Sequence, residues 1–203
     1  GLLTENKGQT LEADILKWWN GATPPADPPC YHLTCNCAFT GGGQVQDILP
    51  DPYRADHWFY CSDVEGLYVT RNGGAKWDYL SRDNSSCFSL FALMDSEDSD
   101  RIYQGLNPGL NVSPDYGETW QFASGGGIED DPIMAICQDL TDPDRLYAGP
   151  SNRWRWNDNE NDRVGTPRIY ISEDRGLTWR SVNYSSNTNT RRDTFTIASH
   201  PDH

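Results

Sequence analysis

A chain of 203 residues with 30 acidic and 16 basic side chains carries a formal net charge of -14. That length suits one domain or part of a larger one. The charge argues against nucleic acid and against an anionic membrane surface, since both need clustered Lys and Arg. No apolar run approaches the roughly 18 residues of a transmembrane helix. The start at Gly1, with no initiator Met and no signal peptide, reads as a processed or trimmed end. Eight Trp and ten Tyr supply material for a core, while 18 Gly and 13 Pro imply many turns. With almost no helical periodicity, an all-β chain is expected.

In chain order, residues 1–43 come first. "LEADILKWW" at 11–19 suits either a short helix or a strand. "PPADPPCYHLTCNC" at 24–37 is turn-rich and Cys-dense, and reads as an irregular, disulfide-pinned extension. Three similar units follow, at about 44–81, 87–124 and 132–184. Each has an apolar strand, an Asp/Pro-rich turn, a second strand, a third strand, a Gly turn and a fourth strand opening near a Trp. Residues 194–203, "TFTIASHPDH", match the opening strand of a fourth unit. Four short antiparallel strands per unit, at a period of about 40–50 residues, are the signature of β-propeller blades. The remaining blades are expected from the rest of the polypeptide or from other subunits, because an open propeller exposes sheet edges.

The units agree best at "TRNGGAKW" (70–77), "SPDYGETW" (113–120) and "SEDRGLTW" (172–179). Their closing Trp77, Trp120 and Trp179 are 43 and 59 residues apart. In this hairpin between strands three and four, Gly117 and Gly176 supply positive φ, and Asp115 and Asp174 accept backbone N–H groups. The pattern resembles the Asp-box, or bacterial neuraminidase repeat, S-x-D-x-G-x-T-W. The resemblance implies structural roles for Asp115, Gly117, Trp120, Asp174, Gly176 and Trp179. It extends to Asn72, Gly74 and Trp77 in the first copy, where Thr70, Asn72 and Lys76 depart from the pattern. A sialidase would add three Arg, a Tyr nucleophile and a Glu, a set that cannot be assembled here.

The stretch "GGGQVQDILPDPYRADHWFYCSDVEGLYVTRNGGAKWDYL" (41–80) resembles the opening blade of the xyloglucanases of glycoside hydrolase family 74. The triple Gly, the Pro-turned strand, the Asp-Val-x-Gly-x-Tyr run and the closing Lys-Trp share its order. The resemblance implies that Asp63 is the general base of an inverting mechanism. Cys61-Ser62 replace the family's usual Arg-Thr, and Glu65 takes a Gly position. Inversion needs an acid and a base about 6.5–9.5 Å apart. In the resembled family the acid lies in a second propeller, so this chain alone is expected to be incomplete as an enzyme. A capping role for Asp63 at the strand end is the alternative.

The longer third unit carries an insert, "NRWRWNDNENDR" (152–163), between strands two and three, on the end of the propeller that carries Asp63. Trp154 and Trp156, alternating with Arg153 and Arg155, are candidates for stacking on sugar rings or for packing on a neighbouring blade. "NDNEND" offers oxygen ligands of the kind Ca²⁺ takes but lacks the EF-hand spacing, and reads as a solvated acidic loop. No cofactor is expected. Glu129, Asp130 and Asp131 form a small carboxylate run in a loop, explained by solvation. Arg191 and Arg192 form an isolated basic pair.

The six Cys (Cys30, Cys35, Cys37, Cys61, Cys87 and Cys137) fit up to three disulfides in 15 possible pairings. Asn84, Asn111 and Asn183 head N-glycosylation triplets. Together with the acidity, these features place the chain outside the cell or on its surface. The leading expectation is a secreted carbohydrate-active propeller, part of a longer protein, that binds a neutral polysaccharide as an inverting endo-β-glucanase or xyloglucanase-like hydrolase. The rival is a non-catalytic extracellular propeller, sortilin-like, adhesive or structural, with a protein ligand.

Overall fold

A computed structural model describes residues 44–63, 66–80, 88–151, 164–165, 168–184, 190–191, 194 and 196–200. The described residues form three four-stranded antiparallel sheets and no α-helix. The first is β1 (Val45–Pro50), β2 (Trp58–Ser62), β3 (Gly66–Thr70) and β4 (Trp77–Tyr79). The second is β5 (Ser89–Met94), β6 (Ile102–Leu106), β7 (Leu110–Ser113) and β8 (Gln121–Phe122). A 3-10 turn, Ile128–Asp130, leads into β9 (Ile133–Gln138) and β10 (Leu146–Pro150) of the third sheet. β11 (Val164–Gly165) stands apart from it, β12 (Arg168–Ser172) and β13 (Arg180–Asn183) complete it, and β14 (Thr190–Arg191) pairs with β11. Within each four-stranded sheet the strands pair in chain order, β9–β10–β12–β13 in the third. This is the up-and-down meander of a propeller blade.

Alternation along the strands decides how the blades stack. Phe59, Cys61, Leu67 and Val69 of the first blade meet Ala92, Met94 and Ile102 of the second in one buried cluster. The other face of the second blade turns Tyr103, Leu110 and Val112 toward Ile133, Ile136, Leu146 and Tyr170 of the third. The middle blade is therefore covered on both faces, and every residue of β6 is buried. The outermost strands β8 and β13 are largely exposed.

Close blade contact fixes two glycines. A Cβ on Gly105 of β6 would lie 2.3 Å from the Ile133 carbonyl oxygen, where β9 crosses it. A Cβ on the matching Gly149 of β10 would lie 2.3 Å from the Thr194 side chain. Residues 194–200 follow the third blade as β9 follows the second: the Thr194 N–H donates to the Pro150 carbonyl at 3.0 Å. Ser199 Oγ donates to the Gln138 carbonyl at 2.8 Å. The described residues of this segment run alongside the third blade outside any strand ladder; in each four-stranded sheet the first strand pairs only with the second strand of its own blade.

Two expectations from the sequence are corrected. Cys61 is buried and Cys137 half-buried, and both are free thiols, so the full set of three disulfides does not form. Asn111 is 0% exposed and its side-chain N–H donates to Gln104 Oε1 at 3.3 Å across the β6–β7 pair. A glycan has no room there. Asn183 lies exposed on β13, and Asn84 falls outside the described residues. No described helix is long and apolar enough to cross a membrane.

Candidate functional site

Each blade has two ends. The β1–β2 and β3–β4 connections lie at one, and the β2–β3 connection lies at the other, with the link to the next blade. Asp63 directly follows β2 and belongs to the second end. It is 8% exposed. Its Oδ1 accepts the Gln44 N–H at 2.7 Å, and its own N–H donates to the Gln44 carbonyl at 3.3 Å. Its Oδ2 accepts Gln46 Nε2 at 3.3 Å. One carboxylate oxygen is thus fixed by a short backbone bond, and the other is held by a longer one. The carboxylate ties the end of β2 to the start of β1.

The insert leaves the third blade at the same end, after Pro150. Trp154, Trp156, Arg153, Arg155 and the "NDNEND" run all fall outside the described residues. The flanks of the insert are placed: the Ser151 N–H donates to the Pro132 carbonyl at 2.8 Å, and β11 pairs with β14. Arg191 therefore lies on this two-stranded ribbon, and Arg192 falls outside the described residues.

The carboxylates at 129–131 do not act as one solvated cluster. Asp131 is 0% exposed, and its Oδ2 accepts Tyr170 OH at 2.6 Å and Arg168 Nη2 at 2.9 Å. Burial of a charge demands such pairing. Asp130 is exposed and Glu129 half-buried. Among the described residues no group of three potential ligands is placed to hold a metal.

At the opposite end, the repeated hairpins share one bonding scheme. Asp115 Oδ1 accepts the Thr119 N–H at 2.7 Å, its Oδ2 accepts Thr119 Oγ1 at 2.6 Å, and Ser113 Oγ accepts the Gly117 N–H at 2.8 Å. In the third blade the Thr178 N–H reaches Asp174 at 2.8 Å and the Gly176 N–H reaches Ser172 Oγ at 2.9 Å. In the first blade the Lys76 N–H reaches Asn72 Oδ1 at 2.7 Å, and the Gly74 N–H reaches Thr70 Oγ1 at 2.8 Å. Burial works against ionisation of Asp115 and Asp174, but the Thr hydroxyl and N–H bonds outweigh it and hold both below the usual carboxylate range. The closing Trp residues diverge. Trp179 is buried and donates to its own turn at the Gly176 carbonyl, whereas Trp120 donates to Leu80 of the preceding blade, each at 2.9 Å. Trp77 is half-buried beside Tyr60, with ring centroids 6.2 Å apart.

A second repeated feature accompanies these hairpins. Asp51, Asp95 and Asp139 close the first strand of their blades at equal intervals of 44 residues. Each accepts the N–H groups of the next turn: Tyr53 and Arg54 on Asp51, Glu97 and Asp98 on Asp95, Thr141 and Asp142 on Asp139. The equal spacing was the signal that could have found them.

No family model matches the chain, and no curated protein does. Among solved structures, an ancestral GH74 enzyme is similar over 76% of this chain and 20% of its own, at 24% identity and a TM-score of 0.67. A GH74 enzyme of Niastella koreensis is similar over 70% of this chain and 21% of its own, at 19% identity and TM-score 0.54. The WD40 β-propeller domain of Doa1 covers 78% of this chain and 45% of its own, at 8% identity and TM-score 0.55. The chain thus spans about a fifth of the length of the two GH74 enzymes. Such likeness speaks to architecture, and with the three meander sheets it establishes the fold as that of a β-propeller.

Proposed function

We propose that this chain is part of an extracellular, carbohydrate-active Asp-box propeller that binds a neutral β-glucan at the blade end bearing Asp63. The observation that carries this reading is the carboxylate of Asp63, buried at a strand end and held by Gln44 and Gln46. It stands at the blade end opposite the hairpins, the end from which the insert with Trp154 and Trp156 also departs. The likeness to GH74 propellers is in keeping with it.

In this reading Asp63 Oδ2 takes a proton from water as the water oxygen attacks the anomeric carbon. The leaving oxygen is protonated by an acid outside this chain, on the far side of the sugar. Flat apolar sugar faces stack on Trp154 and Trp156. The test is native affinity electrophoresis in gels containing xyloglucan. The 203-residue protein should be retarded, and Trp154→Ala with Trp156→Ala should migrate freely. Absence of retardation by xyloglucan and by other neutral β-glucans would overturn the reading. In a polypeptide that also supplies the acid, Asp63→Asn should abolish hydrolysis while leaving the melting temperature nearly unchanged, since the amide oxygen can still accept the Gln44 N–H.

A second reading, a non-catalytic sortilin-like or surface-assembly propeller, is favoured by one observation. Val45, Ile48 and Trp58 of the first blade are 46%, 46% and 39% exposed. Clustered exposed apolar side chains suit a protein partner. Concentration-dependent self-association without glucan binding would favour this alternative.

A further inference from the structure

The turns capped by Asp51 and Asp95 each receive a side chain from the hairpin of the following blade. That side chain comes from the same repeat position, immediately before Gly117 or Gly176. Tyr116 donates its hydroxyl to Asp51 Oδ2 at 2.6 Å, with the Arg54 guanidinium 4.3 Å above its ring. Arg175 anchors on Asp144 of its own blade at 2.7 Å and extends to Glu97 at 3.3 Å and Asp95 at 3.7 Å in the blade before.

The third such turn, capped by Asp139, has the same build but a less crowded carboxylate. Its Oδ1 accepts the N–H and hydroxyl of Thr141 and the N–H of Asp142. Its Oδ2 accepts Tyr147 OH at 3.2 Å, the one bond found for that oxygen among the described residues. The matching oxygen of Asp95 takes both Tyr103 OH at 2.7 Å and Gln138 Nε2 at 2.9 Å. Leu140 beside it is 61% exposed. The surface continues an interface already in use, since Thr194 lies over Gly149 as Ile133 lies over Gly105.

We propose that the Asp139 turn is a socket for a further hairpin of this repeat that presents Arg at the position of Arg175. Arg fits better than Tyr because Tyr147 already supplies a phenol to Asp139, as Tyr103 does to Asp95. The Asp51 blade has Phe59 at that position and takes its phenol from Tyr116. A second copy of these three blades cannot fill the socket. Its first hairpin has Gly73 at the critical position, and its other two are engaged within their own chain. The occupant is therefore a hairpin of another blade.

The experiment titrates the ¹⁵N-labelled 203-residue protein with a synthetic, disulfide-closed hairpin carrying the sequence of residues 169–182. Saturable shifts of the Thr141, Asp142 and Tyr147 amides are expected. A peptide with Gly in place of the Arg that corresponds to Arg175 should bind about fivefold more weakly, the loss of one ion pair of a partly exposed Arg. Asp139→Asn in the protein should weaken binding similarly, while Asp95→Asn should not. No saturable shift, equal binding of the Gly peptide, or shifts confined to the first blade would overturn the proposal.

Discussion

The Tyr116 hydroxyl donates to Asp51 Oδ2 at 2.6 Å from the neighbouring blade, while His57 Nδ1 lies 2.8 Å from the same phenol oxygen. The phenol has one proton, and it goes to the carboxylate. His57 must then donate from Nδ1, which sets its tautomer. Burial and the bond to Asp51 both push the Tyr116 phenol above its ordinary range, so the donor stays protonated. Tyr116→Phe should cost about 1.5–3 kcal/mol, the range for a hydrogen bond to a charged group. Phe59 and Tyr116 stand edge to face with centroids 5.3 Å apart, so the lost hydroxyl leaves room beside Phe59. Phe59→Tyr should restore much of the loss in the Tyr116→Phe background and none of it in the native chain. Urea midpoints of the four proteins in this cycle check the claim. Equal, additive losses would show that Tyr116 acts through packing alone.

The three hairpin glycines give a graded test. Gly74, Gly117 and Gly176 have φ of 90°, 89° and 84°. Alanine at any of them pays for a left-handed backbone, about 1–2 kcal/mol. A Cβ at Gly117 would also lie 2.8 Å from Leu80 Cδ1, and one at Gly176 would lie 2.9 Å from Tyr103 Cε1, whereas a Cβ at Gly74 meets nothing within 4 Å. Gly117→Ala and Gly176→Ala should therefore destabilise more than Gly74→Ala, as read from thermal midpoints. The same midpoint for all three would mean that the approach of each hairpin to the preceding blade is loose.

How much of this was legible in the sequence depends on range. The hairpin scheme of Ser113, Asp115, Gly117 and Thr119 lies within seven residues, so local turn chemistry was enough to read it. The blade count followed from its recurrence. The Asp51, Asp95 and Asp139 series was equally periodic, but its outer partners sit on other blades and no local pattern reveals them. The Asn111 triplet is a three-residue signal, and only the stacking of the first blade on the second buries it. The run at 129–131 looked uniform, yet Arg168, 37 residues from Asp131, takes that carboxylate inside. Asp63 stood out in the sequence, but the residues that hold it, Gln44 and Gln46, come from the other end of the β1–β2 hairpin.

Stability should fall steeply in acid. Burial opposes ionisation of Asp51 and Asp95, but Tyr hydroxyls, backbone N–H groups and, for Asp51, Arg54 hold both below the ordinary value. Asp115 and Asp174 behave alike. A carboxylate depressed in the folded state contributes stability that is full above its unfolded pKa, about 3.9. The contribution is lost as pH falls through the lower folded values. Denaturant midpoints should be flat above about pH 5 and drop below about pH 4. Asp95→Asn should be less stable at neutral pH and show a shallower acid decline. An unaltered acid slope in that variant would remove Asp95 from the account.

The two described thiols should react slowly or not at all in the native state. Burial pushes the Cys61 thiol up to about 12, with the nearby Ser89 hydroxyl opposing it, and burial with the nearby Asp139 charge raises Cys137 to about 11. The thiolate is the nucleophile, so at pH 8 each has a very small reactive fraction. Cys61 is also shielded on the face of β2 that packs against the second blade. Iodoacetamide at pH 8, read by peptide mass spectrometry, should leave Cys61 unmodified until the protein is unfolded in denaturant. Cys137, half-buried on β9, should react slowly and before Cys61. Rapid native alkylation of Cys61 would mean that the first and second blades separate in solution. Failure of either thiol to alkylate after unfolding without reductant would mean that it is disulfide-bonded, against the free thiols described here.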